Sequence, residues 1–166
     1  MAHALLDIFV MVQMKHILVA TDFGEPSHRA LELAMDFAEK FDADVTVLYA
    51  NALPAFADAG VTAGLVWPTE EVASGAKKEL EAAVVAAKAR YSRVKGVMVD
   101  GVPWRTILDV ARERGVDLIV MGTRGHGPIA RALLGSVADR VVRLSPVPVL
   151  TISGRHDNDA QHTAAA

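Results

Sequence analysis

The chain has 166 residues, 52% hydrophobic and 22% charged, with a net charge of −3 and no cysteine. That length suits one domain with a sizeable core, and the composition excludes a disordered chain. The charge excludes a basic nucleic-acid footprint and a polybasic membrane anchor. The missing cysteines exclude disulfides, thiolate metal sites and thiol catalysis, in keeping with a reducing cytoplasm.

Residues 1–13 form an N-terminal extension. Its apolar run, Leu5 to Met14, has neither a basic leading segment nor a cleavage site, so it does not read as a signal peptide. It also falls far short of the roughly 20 residues a membrane-spanning helix needs. Two readings stay open: a partner-binding or interfacial segment, or residues upstream of a start at Met11 or Met14. Lys15 to Ala20, with Ile17, Leu18 and Val19, is a buried parallel strand ending before Thr21-Asp22. Pro26 begins a helix with the apolar stripe Ala30, Leu31, Ala34, Phe37, Ala38 and Phe41, and Asp44 to Ala50 is a second strand.

Residues 51–68, with Pro54, Gly60, Gly64 and Pro68, read as a long surface connection. Its apolar members, Phe56 and Trp67 among them, suit packing on their own domain, or service as a lid or dimer contact. Thr69 caps a second helix with the stripe Val72, Ala76, Leu80, Ala83, Val84, Ala87 and Tyr91. Val94 to Asp100 is a third strand, and Pro103 opens a third helix that Gly115 ends. Asp117 to Met121 is the fourth strand. A fourth helix follows Gly135, with Val137, Ala138, Val141, Val142 and Leu144 as its apolar set. Val147 to Ile152 is the fifth strand, and Pro146 and Pro148 mark it as an edge. Residues 154–166 read as a disordered tail.

Strands alternating with helices in this way specify an α/β fold: an open five-stranded parallel sheet with helices on both faces. Alternation leaves the strand order open; winding outward through three strands and restarting on the other side gives the order 3-2-1-4-5. The ends of strands one and four then flank the crevice where such sheets bind ligands. Thr21-Asp22 follows strand one and the glycine-rich stretch Gly122 to Ser136 follows strand four, so two separate segments meet at one pocket. Gly122 would turn the chain off the strand, and Gly125 would open backbone N–H groups to an anion. Gly135-Ser136 would start the helix with a hydroxyl able to cap it or bond a phosphate oxygen. Glycines alone fit a flexible loop and an ordinary N-cap equally well.

The spacing Gly122-x2-Gly125-x9-Gly135-Ser136 directly follows Asp117 to Met121 and is joined by His16 to Asp22 and Pro146 to Ile152. Over about residues 14–153 this resembles the nucleotide-binding signature of the universal stress protein family. The resemblance implies a Rossmann-like, adenine nucleotide alpha hydrolase-like domain that binds ATP, alone or with magnesium, or another adenine nucleotide. It implies Asp22 on the adenine and ribose side, Ala20 and Ala50 as backbone or wall contacts, Met121 in the adenine wall, and Gly122 beside the ribose or α-phosphate. Gly125, Gly135, Ser136 and Val137 are the implied phosphate cradle. Gly24 stands where the family often has serine, which removes one hydroxyl contact. A homodimer through strand five, a cytoplasmic location and a nucleotide-responsive role in stress tolerance through a regulatory protein partner are also implied.

Other chemistries fit the residues less well. The chain has no Gly-x4-Gly-Lys-Ser/Thr loop and no lysine after Lys95, which argues against P-loop chemistry. Gly125 to Ala130 matches a loose dinucleotide fingerprint, but after the wrong strand, with a proline inside it and no acid at the end of a following strand. Asp22 lacks the acidic pair a phospho-acceptor domain uses to hold magnesium, and it can also serve simply as a turn cap. Arg124, His126 and Arg131 also suit solvated loop charges, and no nucleophile, base and orienting group occur together. A slow ATPase or nucleotidyl transferase on the same core, and a ligand-free interaction module, remain as alternatives.

Overall fold

Strands and helices alternate as β1 (His16–Thr21), α1 (Glu25–Phe41), β2 (Asp44–Asn51), α2 (Thr69–Arg90), β3 (Val94–Asp100), α3 (Pro103–Glu113), β4 (Leu118–Gly122), α4 (Ser136–Leu144) and β5 (Val149–Ile152). The computed structural model describes residues 14–52, 69–123 and 134–153. The N-terminal extension, the connection over residues 53–68, Arg124, Gly125, His126, Arg131 and the C-terminal tail lie outside the described residues, as does the side chain of Val72. Among the described residues no helix is long and apolar enough to cross a membrane.

All strand pairs are parallel, and their order is β3-β2-β1-β4-β5. The central strand shows why its sequence is a continuous apolar run. Ile17 and Val19 pack into a cluster with α1 and α2, while Leu18 and Ala20 pack into another with α3 and α4. Both faces are therefore covered, and alternation with polar residues would leave polar groups buried. Each fully buried side chain such as Ile17, Leu18 or Leu48 contributes about 1.5–3 kcal/mol against about 1 kcal/mol for a typical hydrogen bond, so burial dominates the sheet.

Strands one and four each run one residue later than the sequence suggests. Asp117 does not belong to β4; its Oδ2 accepts the backbone N–H groups of Lys15 at 2.7 Å and His16 at 2.9 Å, so it holds the start of β1 instead. The fifth strand is shorter than Val147 to Ile152, because Val147 and Pro148 precede it; the Pro148 carbonyl accepts the Ile119 N–H at 3.0 Å.

Two apolar stripes also need correction. Phe41 is 41% exposed, and Met35 takes a buried place on α1 that the stripe omitted. The chain turns away right after Phe41 through Asp42, whose φ of 56° ends the helix, and Phe41 packs only edge-on against Phe37. On α4, Ala138 and Val141 are buried while Val142 and Leu144 are 45% and 55% exposed. This short helix lies mainly against α3 and the outermost strand, which among the described residues leaves one flank open.

Gly115 ends α3 as expected. It sits at φ 60°, and the Val116 N–H reaches the Ala111 carbonyl at 3.0 Å while the Gly115 N–H reaches that of Arg112 at 3.3 Å. This double bond pattern needs a left-handed residue, which glycine adopts without a Cβ penalty.

Candidate functional site

Where the strand order reverses, between β1 and β4, the chain leaves one strand toward α1 and the other toward α4, and a cleft of about 570 Å³ opens. Its floor includes Ala20 and Met121, which are register partners on β1 and β4. Leu48 and Ile107 extend the apolar wall, and Ala50 lines it at the end of β2. The first turns of α3 and α4 form the opposite side through Pro103, Gly135, Ser136, Val137 and Ala138.

The turn between β1 and α1 is held by its own side chains. The Thr21 hydroxyl accepts the Phe23 N–H at 3.0 Å, Asp22 Oδ1 accepts the Gly24 N–H at 3.0 Å, and the Ser27 hydroxyl donates to the Gly24 carbonyl at 2.9 Å. Asp22 therefore caps the turn and lines the cleft at the same time. These bonds hold Phe23 at φ 61°, an unfavourable setting for an aromatic residue, and its ring stacks on Tyr49 with centroids 4.8 Å apart. A Cβ at Gly24 would stand 3.1 Å from Asp22 Oδ1, so glycine leaves this carboxylate uncrowded.

Gly122 has a different task from the one its place in the motif suggests. It is the last residue of β4 and has no positive φ. A Cβ there would lie 2.9 Å from Pro26 Cβ and 3.2 Å from the Ser27 nitrogen, so glycine admits the first turn of α1 against the strand end. The chain leaves β4 at Thr123, whose N–H donates to the Ile152 carbonyl at 2.8 Å and whose carbonyl accepts the Gly135 N–H at 2.7 Å. That second bond pins the start of α4 beside the end of β4.

The opening of α4 is also corrected. Gly135 is the N-cap, Ser136 is the first helical residue, and among the described residues no side chain caps the helix. The leading N–H groups, those of Ser136, Val137 and Ala138, have no carbonyl one turn back within the helix, and they belong to residues that line the cleft. The positive end of the helix dipole coincides with them, which makes this side of the cleft suited to an anion.

Of the residues selected from the sequence, Ala20, Asp22, Ala50, Met121, Gly122, Gly135, Ser136 and Val137 all line the cleft, and Gly125 lies outside the described residues. Sequence reasoning missed Tyr49, Asn51, Pro103, Ile107 and Thr123. No motif marks them. The available signal was positional: Tyr49 and Asn51 end a strand, and Pro103 opens the helix after another, where ligands of such sheets collect.

The universal stress protein family matches residues 14–153. Universal stress protein MJ0531 of Methanocaldococcus jannaschii is 34% identical over 142 residues, covering 83% of this chain and 81% of its own. Universal stress protein YxiE of Bacillus subtilis is 33% identical over 144 residues, covering 82% of this chain and 97% of its own. Among solved structures, MJ0577 of Methanocaldococcus jannaschii superposes with a TM-score of 0.70 at 26% identity, covering 87% of this chain and 99% of that one. A universal stress protein solved in complex with cAMP superposes with a TM-score of 0.62 at 27% identity, covering 85% and 98%. The chain belongs to the universal stress protein family.

Proposed function

We propose that the protein binds ATP, alone or with magnesium, in the cleft between β1 and β4, and that it acts in the cytoplasm as a nucleotide-responsive regulator of stress tolerance. The observation that carries this reading is the start of α4, where leading N–H groups open on a cleft that also presents the apolar Ala20, Ala50, Met121 and Ile107. One end suits phosphate and the other a flat base. The cleft volume of about 570 Å³ falls in the range of small-molecule sites, and the similar protein bound to cAMP supports an adenine nucleotide. In this reading Asp22, Ala20, Ala50 and Met121 face the adenosine, Gly122 lies beside the ribose or α-phosphate, and Gly125, Gly135, Ser136 and Val137 face the phosphates.

Backbone N–H bonds to charged phosphate contribute about 1.5–3 kcal/mol each, and after ordering costs a few of them reach about −8 kcal/mol, or micromolar affinity. Calorimetry with ATP, with and without magnesium, should therefore show micromolar binding. No heat at millimolar nucleotide would overturn the reading.

The regulatory output belongs to the same proposal. Residues 14–153 act as the working domain, between an N-terminal extension and a C-terminal tail, pairing as a homodimer through β5 and signalling to a protein partner. The dimer draws support from the sheet order, which leaves β5 at an edge with all four residues partly exposed.

A further inference from the structure

Beside the cleft, two arginines gather on one indole. Trp104 and Arg105 lie in the first turn of α3, next to Pro103 on the cleft wall, and Arg140 lies one turn into α4, after Ser136. The guanidinium carbon of Arg105 stands 5.3 Å from the Trp104 ring centroid and that of Arg140 stands 5.4 Å from it. Each contact is favourable, but together they bring two like charges to a single ring.

The same two helices show what ordinary surface arginines do here. Arg112 on α3 pairs with Asp109, and Arg143 on α4 pairs with Asp139. Among the described residues, Arg105 and Arg140 have no carboxylate within 4.0 Å. The Trp104 Nε1 is buried and has no hydrogen-bond partner among the described residues. Two cations gathered on one ring, with no counter-charge among the described residues, make a site able to receive an anion.

We propose that Arg105 and Arg140, held on Trp104, clamp the outer phosphates of a nucleotide bound in the cleft and so favour a nucleoside triphosphate over a monophosphate. This rests on the nucleotide reading of the cleft. Arg140 lies one turn after Ser136, which lines the cleft with Val137, and its guanidinium reaches across to the Trp104 ring beside Pro103. An α-phosphate at the start of α4 is met by backbone N–H groups. The charge of further phosphates extends to the rim, where the planar guanidinium offers paired donors to phosphate oxygens.

The test is calorimetry of the full chain with ATP, ADP and AMP, comparing the native protein with an R105A/R140A double variant. ATP affinity should fall by about tenfold to a hundredfold, the difference one or two charge-assisted bonds make. AMP affinity should stay unchanged, the ligand-free melting temperature should fall only by what two exposed cation–π contacts contribute, and the salt dependence of ATP binding should shrink. Arg140→Lys, which keeps the charge but loses the planar donor pair, should fall between native and R140A. Equal losses for ATP and AMP, or no loss for either, would overturn the clamp while leaving the nucleotide reading intact. A native protein that binds none of the three overturns both.

Discussion

At the scale of single residues, Gly122 shows how one motif position can answer to packing. Replacing it with alanine has two opposed effects. Glycine to alanine ordinarily stabilises by about 0.4–1 kcal/mol through the unfolded chain, whereas forcing a methyl into a filled site costs about 1–3 kcal/mol. The new Cβ would meet Pro26 Cβ at 2.9 Å and backbone atoms of Pro26 and Ser27 at 3.2 Å, and backbone yields less readily than a side-chain tip. The steric cost should win, so Gly122→Ala should lower the urea midpoint by the equivalent of about 1–2 kcal/mol. An unchanged or raised midpoint would show that the first turn of α1 gives way freely. Asp22 illustrates the same economy, since one carboxylate oxygen holds the turn of a residue group that also walls the cleft.

Among elements, the placing of β1 depends on contacts at both of its ends. The cleft end is held by the side chains of its own turn; the opposite end is held by Asp117, the residue before β4, and by His16. Nδ1 of His16 donates to the Arg114 carbonyl at 3.1 Å, which leaves Nε2 to pair with the Thr46 hydroxyl at 2.8 Å. Asp117→Ala removes the acceptor of two backbone N–H groups and should destabilise by about 1–3 kcal/mol, toward the lower end because Lys15 is exposed to water. Hydrogen exchange of the Lys15 and His16 amides should accelerate more than that of Val19. Uniform acceleration along β1 would mean that Asp117 acts on global stability alone.

For the whole molecule, the proposed dimer turns on the β5 edge. The Pro148 and Ile152 carbonyls accept N–H groups from Ile119 and Thr123 on the β4 side. Because neighbouring residues of a strand point their backbone groups to opposite sides, Val149 and Thr151 present theirs outward. A second copy pairing antiparallel across a two-fold axis would satisfy them. Thr151→Pro deletes one outward donor without touching the bonds to β4, and an edge strand accommodates proline there. Light scattering should then report a folded monomer in place of a dimer. A variant that still dimerises would place the interface elsewhere, with residues 53–68 the next region to test.

The sequence by itself determined the alternation of strands and helices and the edge position of β5, and it narrowed the sheet order that the structure then decided. Each rests on local chemistry: a strand covered on both faces must be apolar throughout, a helix covered on one face must repeat, and right-handed crossovers leave few topologies. It also brought Ala20, Asp22, Met121, Gly122 and Gly135 to one crevice, since strand ends on either side of a reversal are neighbours. What only the tertiary structure decided are the relations between residues far apart in the chain. Pro26 against Gly122, Asp117 against Lys15, and Arg140 against Trp104 leave no local signature. The exposure of Phe41, Val142 and Leu144 has the same origin, because an apolar stripe shows which side of a helix can be buried and the neighbouring elements settle how much of it is.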